Sequence, residues 1–215
     1  MQETLGLCAV RTLVSVIVTI FVCAGFCLAQ ERKNEAGFLL GAELIPERST
    51  SSGTALSLSN SVSLSATYAR YLTGRRTQLF LEIPFAASPS HSVASAQEGT
   101  ITSLASLYAT PSLRVRFLNA RPFSPWVSGG VGYGLYQGSQ TLNNGARNPA
   151  VFKNATTAQF GGGVDFRTPL HILYPISLRL EARDYHTLDT ANFGVGVRRG
   201  SQDNVIAAGG FVIHF

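Results

Sequence analysis

From residue 37 onward, apolar and polar residues alternate with a period of two, in stretches of about ten residues, the length of a tilted membrane-crossing strand. Residues 37–46 place Phe38, Leu40, Ala42 and Leu44 on one face, and 61–72 place Val62, Leu64, Ala66 and Tyr68 there. Residues 77–85 follow with Leu79, Leu81, Ile83 and Phe85, then 105–117 with Leu107, Ala109, Leu113, Val115 and Phe117. The pattern returns in 126–136 (Val127, Val131, Tyr133, Leu135), 158–167 (Phe160, Val164, Phe166), 176–186 (Ile176, Leu178, Leu180, Ala182) and 205–215 (Val205, Phe211, Ile213, Phe215). Eight strands are predicted, and helical periodicity is absent after residue 30.

The connections alternate in length. Residues 47–60, 86–104, 137–157 and 187–204 are long and rich in Ser, Thr, Asn and Gly. Residues 73–76, 118–125 and 168–175 are short and carry the Gly or Pro that tight turns use. Long loops at one rim and short turns at the other predict an all-β fold: an eight-stranded antiparallel up-and-down transmembrane β-barrel. An even strand number puts both termini on the short-turn side. Pro84 and Pro111 fall inside predicted strands, where proline cannot donate to a ladder; Pro84 suits a strand end, and Pro111 needs a bulge or a revised boundary.

The direction in which the barrel faces follows from the opposite face of each strand. There lie Glu43, Glu82, Arg114, Arg116, Asp165, Arg167, Arg179, Glu181 and Arg183, four acids and five bases. Enclosed in a lumen, such charges must pair, and their near balance permits it. Eight strands leave room for side chains only, so the large apolar set would overfill the interior and belongs outside. Small residues such as Gly130, Gly132, Gly134, Gly161 and Gly163 fit inside. Aromatics gather toward strand ends, with Tyr68, Tyr71, Phe117, Phe123, Trp126, Phe166, Tyr174 and Phe215 toward the short turns. Phe85, Tyr133, Tyr136, Phe160 and Tyr185 gather toward the long loops, as two lipid-headgroup girdles would require.

Composition sharpens this picture. The chain is 45% hydrophobic but only 13% charged, about half the charge of an ordinary soluble domain; lipid suits such a surface. Residues 1–29 read as a signal peptide: Arg11 ends the polar start, 13–26 is an apolar run, and Cys27-Leu28-Ala29 offers small residues at the cleavage positions. Residues 30–215 form the barrel domain. All three cysteines, Cys8, Cys23 and Cys27, fall in the leader, so the exported chain has no disulfide framework. The net charge of +5 is spread too thinly for a nucleic-acid surface.

The last strand, with Val205, Ala207, Gly209, Phe211, Ile213 and Phe215, is similar to the targeting signal of bacterial outer-membrane barrels. The stretches FSPWVSGGVGY from Phe123, FGGGVDFR from Phe160 and ISLRLEARDY from Ile176 resemble the OmpA-like/opacity-type small barrels. The resemblance implies residence in the outer membrane, contact with its lipid and lipopolysaccharide, and a monomer. It also implies recognition of Phe211, Ile213 and Phe215 by the barrel-assembly machinery. It implies no activity, because this family is a scaffold with divergent loops, and no peptidoglycan-binding domain follows the barrel.

Candidate chemistry is sparse, and no cofactor or metal is expected. Gly161–Gly163 lacks the helix and the Lys/Ser-Thr pair of a phosphate loop. His91, His171, His186 and His214 have no ligand spacing. Arg183-Asp184-Tyr185-His186, with Asp189, could sit at the rim as in barrel lipid A deacylases. Leu188 stands where their serine nucleophile follows the histidine, so a non-enzyme is expected. Arg147, Lys153, Arg198 and Arg199, in or beside the long loops, are candidate lipopolysaccharide contacts. The expected function is structural or surface-interacting, with long loops outside and a lumen plugged by charged side chains. The rivals are a small diffusion pore, a lipid-modifying rim enzyme and a soluble periplasmic ligand-binding barrel.

Overall fold

A computed structural model describes residues 33–44, 48–49, 55–95, 98–118, 122–171, 175–188 and 202–215. The expected leader, 1–29, lies outside the described residues. Eight strands account for the wall: β1 (Asn34–Leu44), β2 (Ser61–Thr73), β3 (Gln78–Ser95), β4 in two pieces (Ser103–Ala109 and Ser112–Arg116), β5 (Phe123–Gly138), β6 (Phe152–His171), β7 (Pro175–Thr187) and β8 (Gln202–His214). Each pairs antiparallel with its sequence neighbours, and β8 closes onto β1 through pairs such as Phe38 with Phe211. A short ribbon, Arg48–Ser49 with Ala55–Leu58, attaches to the upper end of β3.

Directly paired residues can be followed once around the barrel, from Glu43 through Ile206, Arg183, Gly161, Ser128, Arg114, Phe80 and Tyr71. The circuit returns to β1 at Lys33, since the Tyr71 amide donates to the Lys33 carbonyl. From 43 to 33 is a stagger of 10 residues, which tilts the strands by about 40° and leaves an interior that side chains fill.

Strand ends shift by a few residues from the sequence expectation, β1 starting at Asn34 and not at 37, and two strands run well beyond it. β3 runs on to Ser95, because the serine-rich 86–95 segment, which lacks apolar alternation, finds backbone partners in β4 and in Leu56–Leu58. β6 likewise spans Phe152–His171. Pro84 is not at a strand end. It sits mid-strand beside Thr110 and Pro111, in the gap between the Glu82–Ser112 and Phe85–Ala109 pairs. The two prolines thus share one interruption, bridged by the Thr110 amide donating to the Pro84 carbonyl.

The outward face carries large, exposed apolar side chains all round the barrel, including Leu40, Leu64, Leu81, Leu113, Val131, Phe160, Leu180 and Phe211. Water would penalise such a belt at about 25 cal/mol per Å², whereas lipid does not.

Inside, two layers are stacked. The layer toward the short turns is charged. The layer toward the long loops is aromatic and aliphatic: Tyr108 stacks on Tyr185 with ring centroids 4.4 Å apart and meets Tyr136 edge-on, with Leu39, Leu104 and Ile206 around them. Trp126, Tyr136 and Tyr185 therefore do not belong to the lipid girdles. They share parity with the lumen charges, and neighbouring inward glycines leave space for them. A Cβ at Gly163 would lie 2.6 Å from the Trp126 ring.

Candidate functional site

The polar lumen is the largest constellation of chemistry-bearing groups in the described residues. Its charged layer holds four guanidinium groups against four carboxylates. Arg179 clasps Asp165 through Nε at 2.6 Å and Nη2 at 2.9 Å. Arg183 clasps Glu181 in the same forked way, at 2.9 and 3.2 Å, and also reaches Glu82 at 2.8 Å. Arg116 bridges Asp165 and Glu35, both at 2.7 Å, and Arg114 donates to Glu35. The two-pronged geometry matches donor spacing to carboxylate spacing, which makes these pairs strong and directional.

Aromatic rings complete the layer. The Trp126 ring lies 5.0–5.6 Å from the guanidinium carbons of Arg114, Arg179 and Arg183, while Phe80 faces Arg114 and Arg116 at 4.6 Å. The Trp126 indole N–H donates to Asp165 at 3.3 Å. Ring faces stabilise cations that water no longer reaches. The only tryptophan of the chain is thus part of the charge network.

Of the nine residues the sequence nominates, Glu82, Arg114, Arg116, Asp165, Arg179, Glu181 and Arg183 meet in this layer. Arg167 has inward parity but is exposed at the short-turn mouth. Glu43 is buried but stands apart, in the upper layer, where His91, Ser106 and Tyr108 engage its carboxylate. Sequence reasoning missed Glu35, which supplies the fourth acid. It lies eight positions below Glu43 on the same parity, and a strand start at residue 37 placed it outside the wall. It missed His91 by reading 86–104 as loop.

The two ends of the lumen differ. At the short-turn end a vestibule of about 480 Å³ opens among Lys33, Glu35, Phe80, Arg116, Arg167 and His214. At the other end, loop residues pack over the tyrosines: Ile101 bridges to Leu142, and the amides of Gly99 and Thr100 donate to Asn143.

The remaining nominated residues do not assemble. Arg147 is exposed in a long loop, and Lys153 takes the inward parity of β6 opposite Tyr136, so it does not point at lipid. Arg198, Arg199 and Asp189 lie outside the described residues. His186 and Asp203 pair at 2.5 Å on the outer surface, while His214 bonds Ser177 near the short turns. Among the described residues, no three potential metal ligands cluster. Phe211, Ile213 and Phe215 keep the outward parity of β8, with Phe211 packed on Phe38 at 5.9 Å.

No protein-family model matches the chain, and no curated protein matches its sequence. Solved structures do match. Neisserial surface protein A superposes with a TM-score of 0.50 at 11% identity, over 86% of this chain and 98% of that one. The outer membrane protein OprG from Pseudomonas aeruginosa also superposes with a TM-score of 0.50, at 14% identity, over 85% of this chain and 94% of that one. The fold is that of small outer-membrane barrels. At this identity the likeness concerns the path of the backbone alone.

Proposed function

We propose that this chain is a non-enzymatic integral protein of a bacterial outer membrane, with a structural or surface-interaction role. Its long loops face outward from the cell, and its lumen is plugged. The observation that carries the reading is the inversion of the molecule: a continuous exposed apolar exterior around a filled, ion-paired interior. A soluble ligand-binding barrel would have the opposite arrangement, with apolar residues lining a cavity. Four arginines matched by four carboxylates and packed by Trp126 and Phe80 are a core, not a water-filled path.

In this reading Phe211, Ile213 and Phe215 are read by the barrel-assembly machinery, and the barrel is a monomer. Arg147, with Arg198 and Arg199, meets lipopolysaccharide phosphates. The test is a gel of the outer-membrane fraction run boiled beside unboiled. A folded band that shifts on boiling supports the reading, and a protein recovered in the aqueous fraction with one band either way rejects it.

Among the described residues, the partly exposed His186–Asp203 pair favours a rim enzyme. Turnover of lipid A or phospholipid by the purified protein, lost in His186→Ala, would establish that alternative.

A further inference from the structure

One buried ionisable pair takes no part in the arginine layer. Glu43, near the top of β1, and His91, just beyond the register break in β3 after Ser88, both have side chains with 0% exposure. The residues flanking His91, Ser90 and Ser92, are exposed and polar, so this part of β3 stands clear of the lipid belt.

The contacts favour a doubly protonated ring. His91 Nδ1 lies 2.8 Å from the Ser59 backbone carbonyl, which can only accept. His91 Nε2 lies 3.0 Å from Glu43 Oε2. That carboxylate also accepts from Ser106 Oγ at 2.8 Å and from the Tyr108 hydroxyl at 2.9 Å, as an ionised group does. With Glu43 ionised, both ring nitrogens face acceptors, and this geometry suits an imidazolium. Glu43 from β1 and the Ser59 carbonyl from the segment entering β2 contact the ring, and Ser106 and Tyr108 from β4 contact Glu43, with Tyr185 of β7 stacked behind Tyr108.

We propose that His91 and Glu43 form a proton-controlled latch that fixes the base of the first long loop, at Ser59, to the lumen wall. The latch as a response to the outside medium rests on the outward placement of the long loops argued above. A neutral imidazole has one N–H. After proton loss to solvent, one of the two contacts sets a ring lone pair against an oxygen lone pair. The carboxylate is the stronger acceptor and keeps the remaining N–H, so the Ser59 contact is the one released. The bonds left between Ser59 and Ser92, at 3.0 and 2.9 Å, are on the water side and hold the loop base less firmly.

Burial lowers the pKa of the His91 ring, but its bonds to Glu43 and Ser59 outweigh this and raise the pKa above the usual histidine value. A raised folded-state value means that the latch is engaged at lower pH and released as pH rises through it. At strongly acid pH, protonation of Glu43 strands the imidazolium and weakens the latch again.

The test is NMR on the full chain in detergent micelles, from about pH 5 to about pH 9. Imidazole nitrogen shifts report the protonation of His91, and backbone order parameters report the loop base. At the acid end both ring nitrogens carry protons. Order parameters at 57–60 fall from about 0.85 to below about 0.6 as the ring titrates, and this step is absent in His91→Gln. A ring that is neutral while residues 57–60 are ordered, or a step that persists in His91→Gln, overturns the latch. The same sample, run unboiled and boiled, reports separately whether the barrel reading holds. A flat pH profile in a heat-modifiable protein sinks the latch alone.

Discussion

Asp165 shows what a single lumen residue does. It receives both prongs of Arg179, one nitrogen of Arg116 and the indole of Trp126. Removing its charge leaves Arg179 with only the more distant Glu35, at 3.7 Å, and takes from Arg116 one of its two carboxylates; breaking a buried pair costs about 3–5 kcal/mol. Asp165→Asn is expected to lower the unfolding free energy by that amount, measured by urea titration in lipid vesicles. Trp126, the sole tryptophan, is the fluorescent probe. Adding Arg179→Met should recover part of the loss, because the stranded charge, not the missing bond, is the larger penalty. A loss below about 1 kcal/mol in Asp165→Asn would mean that water reaches the layer and screens it.

At the scale of the strands, two devices shape the wall. The gap at Pro84 and Thr110–Pro111 interrupts the β3–β4 ladder at one place, and the Thr110 amide bridges it to the Pro84 carbonyl. Inward glycines of β6 serve packing: Gly161 and Gly163 sit where a Cβ would press on Arg183 and Trp126, at 2.8 and 2.6 Å. Gly163→Val is expected to push Trp126 out of its place among the arginines and to destabilise the barrel by about 1–3 kcal/mol. The tryptophan emission of the folded state should shift as well. Gly145, whose Cβ would meet nothing within 4 Å, is an instructive contrast. It has a φ of +82°, so a side chain there is limited by backbone conformation, not by space.

For the whole molecule, the stagger and the two stacked layers decide permeability. A barrel of this width is filled by side chains. Among the described residues the filling is ion-paired toward the short turns and aromatic toward the long loops, the arrangement that the proposed plugged lumen requires. Planar-bilayer recordings of the purified protein are expected to show no steady single-channel conductance. Regular, voltage-independent openings would instead show that the arginine layer parts readily and would favour the pore reading.

The period of two was enough to find eight strands, their antiparallel order, the face that meets lipid and most of the lumen charges, because side-chain parity is a local property of an extended chain. It did not show that Trp126, Tyr136 and Tyr185 turn inward, since an aromatic near a strand end suits a lipid girdle as well as a lumen. Nor did it reveal Glu35, two residues before the apparent strand start, or His91, in a serine-rich stretch without alternation. Partner choice was out of reach altogether. Arg183 meets Glu82 across 101 positions of sequence, Arg114 meets Glu35 across 79, and His91 meets Glu43 across 48. Alternation says only that these side chains point inward. Which of them share a level depends on strand tilt and on the stagger with which the sheet closes, and those quantities exist only once all eight strands have paired.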